Sequence, residues 1–304
     1  MTTKKVSIVM AYYNRKLQLI NTLRTIKKSA YKNIEIIIVD DNSDPNQQVC
    51  SFIEEVKDDL DIKVITITTQ QKTWINPCIP YNMGFEEATG DIVIIQSPEV
   101  AHIGDCIKYV VENLKAGDWL SFNCYGSPSF HFNNKIKDEK LIYGLIKENS
   151  IDNIKCSCGW CYRCIRPVVS SQDAVEVGGV FLNHFNDHFV AYHYCAAIHK
   201  SDLFNKMSGG FDESFKNSVG GDDDEFIKRL IYNKFNFKIN EFKESEPFVI
   251  HQFHEKPPQF LDADYKKTKK IFKDACMEID FEPQNDIVLA PKNEIPMSRR
   301  ILIT

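Results

Sequence analysis

The chain of 304 residues carries 37 Lys and Arg against 42 Asp and Glu, a net charge of −5, with 43% hydrophobic and 26% charged residues. That length allows one large domain or two small ones with an ample core. The acidic balance excludes a uniformly basic nucleic-acid-binding surface. No stretch approaches the ~20 apolar residues needed to cross a bilayer. The first apolar run ends at Tyr13-Asn14-Arg15 without a small-residue cleavage site, so a cytoplasmic protein is expected. In that setting the 10 cysteines read as free thiols or metal ligands rather than a disulfide framework.

The first 125 residues alternate between strand-like and helix-like runs. Residues 6–11 predict a strand, followed by a helix over 15–29 with Asn14 as its N-cap and Leu17, Ile20, Leu23 and Ile26 on its apolar face. The nearly continuous apolar run 34–39 suits a strand buried on both faces of a parallel sheet. Helix over 49–56, strand over 62–68, helix over 81–88, strand over 91–95, helix over 103–114 and strand over 119–124 follow. Strand and helix at this spacing make βαβ units, whose ligands sit outside the carboxyl ends of the strands. Three polar clusters fall there: Tyr12-Tyr13-Asn14, the acidic run from Asp40 to Asp44, and Gln96-Ser97-Pro98-Glu99. Further on, the expectations are a strand over 189–198, helices over 201–206 and 222–230, a strand over 248–253, a helix over 261–277 and a tail.

Residues 6–15 and 34–44, in this spacing, resemble the nucleotide-binding motifs of family-two glycosyltransferases of the GT-A fold. The resemblance implies a mostly parallel central sheet flanked by helices, with a Rossmann-like nucleotide-sugar-binding half over 1–100, an acceptor half over 101–255 and an extension over 256–304. It implies that Ala11, Tyr13 and Asn14 line a uracil pocket, with Tyr13 stacking on the base. Asp41 would accept from the ring N–H, since a carboxylate only accepts. The family's metal-binding Asp-x-Asp falls at Ser97-Pro98-Glu99. The first acid is missing, and Glu99 keeps the carboxylate that would ligate Mn²⁺ or Mg²⁺ on the donor's diphosphate. His102, nearby, reads as a packing residue.

Gly220-Gly221-Asp222-Asp223-Asp224-Glu225 resembles the acceptor-side motif of the same superfamily and a segment of β-1,4-galactosyltransferases. By position, Asp223 is the base that deprotonates the acceptor hydroxyl and Asp222 the acid beside it. A purely structural helix start with an ion pair to Arg229 accounts for Asp224 and Glu225 but not for the whole run. His251 stands where the resemblance puts a metal-ligating histidine, with His254 as its rival. Cys156, Cys158, Cys161 and Cys164 span too few residues for an easy tetrahedral zinc site, so free thiols in an acceptor-side loop are preferred.

The resemblance implies transfer of a sugar from a nucleotide-diphosphate sugar, a UDP-sugar by preference, to a glycan or other hydroxyl acceptor, and inversion at the anomeric carbon is inherited from it. A non-catalytic nucleotide-sugar-binding module is the alternative, motivated by Ser97. A nucleotidyltransferase ranks last because the first strand ends without a glycine-rich loop.

Overall fold

In the computed structural model the described residues are 4–122, 124–127, 130–148, 181–184, 194–240, 246–254 and 271. The predicted helix over 261–277 apart from residue 271, the tail and the Cys156–Cys164 cluster lie outside them. In chain order come β1 (Val6–Tyr12), α1 (Lys16–Lys27), β2 (Ile34–Asp40), β3 (Ile62–Thr66), α2 (Cys78–Glu87), β4 (Ile92–Gln96), β5 (Val100–Ile103) and α3 (Cys106–Asn113). They are followed by β6 (Asp118–Phe122), β7 (Cys124–Gly126), β8 (Phe181–His184), β9 (Cys195–His199), the acidic helix Asp222–Tyr232, β10 (Asn236–Asn240) and β11 (Phe248–His251).

Among the described residues, seven strands form one sheet in the order β10-β6-β9-β4-β1-β2-β3. Its pairs are parallel except where β9 runs antiparallel between β4 and β6. The apolar runs of β1, β2 and β4 follow from this position. Ile8, Met10, Ile36, Ile38, Ile92 and Ile94 face α1 and α3, while Val9, Ile37, Val93 and Ile95 face α2 and the acidic helix. Side chains alternate across a strand, so both faces of a covered sheet must be apolar. At the sheet edge, β3 is only half-buried. Helix α2 rides close on the sheet through Gly84, where a Cβ would lie 2.4 Å from Val9 Cγ1.

Four short strands make a second sheet, β5-β11-β7-β8. Sequence pattern alone does not mark it. The expected helix over 103–114 is instead α3, because Ile103 closes β5 and Asp105 caps the helix by accepting from Lys108 N. Two 3-10 turns replace the expected helix over 49–56. Asn14 does not cap α1. Its backbone is left-handed at φ 50° and Arg15 takes the N-cap position. The buried face of α1 is Leu19, Thr22, Leu23 and Ile26, whereas Leu17 is exposed. The expected strand over 189–198 is described from Cys195 onward.

At the end of the sheet opposite the polar clusters, Glu35 ties three segments together. Its carboxylate accepts from Ser7 Oγ at 2.5 Å, Thr89 N at 2.6 Å and Lys5 Nζ at 2.6 Å. Burial pushes this carboxyl up, but the hydrogen bonds from Lys5, Ser7 and Thr89 outweigh it and bring its pKa from 4.5 to about 2. A folded-state pKa below the unfolded one means stability that is present above the unfolded value and is lost as pH falls through the folded one. Thermal melts of Glu35→Ala against wild type should therefore show the variant less stable at neutral pH. The gap should shrink steadily between about pH 4.5 and pH 2; a gap independent of pH would mean that the ionised carboxylate contributes nothing.

Candidate active site at the carboxyl ends of the strands

The sequence offers two acids at the end of β2, and the structure separates them. Asp40 is fully buried and accepts from Ser43 N at 3.0 Å and Val49 N at 2.7 Å. Those bonds shape the loop that follows. Asp41 points the other way, accepting from Trp74 Nε1 at 2.9 Å and pairing with Lys72 Nζ at 2.5 Å. Burial raises the Asp41 carboxyl above its ordinary range, against the opposing pull of Lys72 and Trp74. Lys72 Nζ also lies 4.9 Å from the centre of the Tyr13 ring, which is 38% exposed. Tyr13 and Asp41 thus share one partner. Asn14 braces the same loop from beneath: its amide oxygen accepts from Asp44 N and its amide nitrogen donates to Asp44 Oδ2. Ala11, at the end of β1, packs against the cluster on the α2 face of the sheet.

Ser97-Pro98-Glu99 forms the tight link between β4 and β5, with Val100 N donating to Ser97 O at 3.1 Å. Antiparallel pairing of β5 with β11 sets His251 opposite Val100, and Gln252 N donates to Glu99 O at 2.9 Å. Register therefore carries the histidine to Glu99. His251 Nε2 is 3.5 Å and His254 Nε2 3.6 Å from Glu99 Oε1. The histidine rings lie 5.1 Å apart, and Tyr194 meets His251 edge-on at 5.4 Å. Burial alone would raise the Glu99 carboxyl, but the two histidines hold it well below its usual value. Sequence reasoning treated His254 as a rival of His251; here both converge on the same oxygen.

One ligand atom from each of Glu99, His251 and His254 lies within 4.8 Å of the others. First-row metals take imidazole nitrogen and carboxylate oxygen at about 2.0–2.2 Å, so small side-chain rotations would close the three around one ion. Two imidazoles with one carboxylate suit Mn²⁺ better than Mg²⁺, which prefers oxygen alone. The donor set fits a divalent metal and leaves positions open for further oxygens. His102 takes no part: it is buried, bonds Gln96 Oε1 at 2.9 Å, and burial lowers its pKa to about 4.

The acidic helix begins at Asp222. Gly220 and Gly221 hold φ values of 70° and 89°, a backbone that suits glycine, and release the chain into the helix at Asp222. Asp222 is buried and accepts from Asn76 Nδ2 at 2.8 Å. Asp223 is half-buried. Glu225 pairs with Arg229, whose guanidinium also reaches Met207 O and Gly210 O, so the last acid of the run is structural. The link between the two clusters is Tyr81, a residue that sequence reasoning did not single out. Its buried hydroxyl donates to Gln96 O at 3.1 Å. Burial raises its pKa, and the charges of Glu99, Asp223 and Asp222 raise it further, against a hydrogen bond with Ser97.

A largely parallel sheet with its polar clusters at the carboxyl ends of the strands, an acidic link after β4 and an acidic helix define a glycosyltransferase of the GT-A fold. The sequence matches the family described as Glycosyl transferase family 2 over residues 7–168, and the chain belongs to that family. No curated protein matches it in sequence. Among solved structures it is similar to TarS of S. aureus: TM-score 0.50 at 16% identity, over 95% of this chain and 46% of that one. TarS 1–349 solved with UDP-GlcNAc gives TM-score 0.52 at 14% identity, over 98% of this chain and 78% of that one. The chain thus spans about half of the longer TarS chain. At such identities the likeness concerns the fold. Among the described residues, no helix is long and apolar enough to cross a membrane.

The trio makes a direct prediction. A metal that binds the folded state alone stabilises it by about 2.7 kcal/mol at 100-fold excess over Kd. Mn²⁺ should raise the melting temperature of the wild type, and replacing either His251 or His254 with Ala should abolish most of the rise. Equal shifts in all three proteins would place the metal elsewhere.

Proposed function

We propose that the chain transfers a sugar from a UDP-sugar to the hydroxyl of an acceptor, with inversion and with Mn²⁺ or Mg²⁺ as cofactor. The observation that carries this reading is the convergence of His251 and His254 on Glu99, in the link that follows β4 at the carboxyl end of the strand. Residues 1–100 supply the donor site and 101–255 the acceptor side. Tyr13 stacks on the base, Asp41 accepts from its ring N–H, and Ala11 and Asn14 shape the pocket floor and loop. TarS has been solved with UDP and with UDP-GlcNAc, which supports a nucleotide-sugar donor here.

Glu99, His251 and His254 would hold the metal, with Ser97 in the same link. When bound, the cation supplies positive charge against the diphosphate of the donor. Asp223 takes the proton of the acceptor hydroxyl as its oxygen bonds to the anomeric carbon. The bond from that carbon to the diphosphate oxygen breaks on the opposite side, and its electron pair leaves with the nucleotide. Asp222, held by Asn76, sits beside the base. The alternative, a nucleotide-sugar-binding module without catalysis, keeps the donor pocket and gives Asp223 no task.

Two substitutions separate the halves. Asp41→Ala should weaken UDP binding in calorimetry and leave the fold intact, because this carboxylate lies outside the core cluster. Asp223→Asn should bind UDP normally while turnover falls roughly 10²–10⁴-fold, the usual contribution of a general base. Undiminished turnover in Asp223→Asn would remove Asp223 as the base, and a wild type that binds UDP-sugars without releasing UDP would favour the binding module.

A further inference from the structure

The nine residues 68–76 between β3 and α2 touch both halves of the site. At one end Lys72 and Trp74 hold Asp41. At the other, Ile75 N and Asn76 N both donate to Lys216 O, at 2.8 Å and 3.1 Å. The side chain of Asn76 is 2% exposed, and each of its polar atoms has a separate task. Its oxygen accepts from Cys78 N at 2.8 Å, closing the turn into α2. Its nitrogen donates to Asp222 Oδ1 at 2.8 Å and more weakly to Ser218 O at 3.4 Å.

A buried carboxylate takes its orientation from the donors it meets, and a donor this deep costs heavily when lost. Asp222 is the first residue of the acidic helix, so fixing it fixes the start of the helix that presents Asp223. Gly220 and Gly221 precede it, with left-handed backbone and with Ser218 Oγ donating to Gly220 O at 3.1 Å.

We propose that Asn76 is a positioning residue of the transfer reaction: its amide holds Asp222, and with it the start of the acidic helix, in place for the acceptor. Standing two residues from Trp74, it ties that placement to the segment covering the nucleobase carboxylate Asp41. The proposal rests on the assignment of Asp41 and Asp223 above.

The test uses Asn76→Asp, which keeps the oxygen for Cys78 N but replaces the donor to Asp222 with a second carboxyl oxygen, beside Asn76→Ala, which removes both partners without adding charge. UDP affinity by calorimetry and release of UDP from a UDP-sugar are measured for each with Mn²⁺ present. Asn76→Asp should bind UDP within about twofold of wild type while kcat falls roughly 10- to 100-fold, the scale of one buried charge-assisted hydrogen bond. A purely structural turn predicts instead that Asn76→Asp recovers the activity lost in Asn76→Ala. Near-normal kcat in Asn76→Asp overturns the proposal, and so does a loss of UDP affinity in step with kcat. A wild-type chain that neither binds UDP nor turns over any UDP-sugar overturns the functional reading, and this proposal with it.

Discussion

Backbone pairing of two short strands carries the arrangement of this site. β5 and β11 run antiparallel over four residue pairs, and that register alone sets His251 beside the Ser97-Pro98-Glu99 link. No side-chain attraction is needed to bring a histidine across some 150 residues of chain, because ladder hydrogen bonds fix register and register fixes which side chains meet. β11 also pairs with β7, so the strand bearing the histidine is held on both sides. Gln252 secures its end further, donating to Gln18 O and Thr22 Oγ1 on α1. A shift of one residue would exchange His251 for Gln252 and dissolve the trio.

The acids divide their work by burial and by partners. Asp40 and Glu225 shape the backbone: one accepts two loop amides, and the other anchors Arg229 against Met207 O and Gly210 O. Asp41, next to Asp40, and Asp223, two residues before Glu225, are the acids to which the proposed function assigns chemistry. The Glu35 cluster at the far end of the sheet serves the same logic by fixing the strands where no ligand is expected.

The central strands were legible because a strand covered on both faces reads as an unbroken apolar run, as in Ile34–Asp40. The acidic helix was legible from its glycines and carboxylates. Of the second sheet only β11 was, within the strand expected over 248–253; strands such as Cys124–Gly126 are too short for a period of two to emerge. Asn14 misled as a helix cap, since asparagine favours caps and left-handed turns alike and only the loop at Asp44 decides between them. The choice between His251 and His254 was open for want of register, and the fold makes it unnecessary. Lys72, Trp74, Asn76 and Tyr81 carried no motif, because their roles exist only once the segment after β3 folds back over the strand ends.

The central claim is that Glu99, the two histidines and the acidic helix form one catalytic centre for a nucleotide sugar. Its most direct test is release of nucleoside diphosphate from a panel of UDP- and GDP-sugars, with Mn²⁺ or with EDTA, and with simple hydroxyl acceptors added. The account predicts release from at least one UDP-sugar in Mn²⁺, faster with a suitable acceptor and abolished by EDTA. Release that is indifferent to EDTA would contradict the metal centre, and binding of UDP-sugars with no release from any would contradict catalysis.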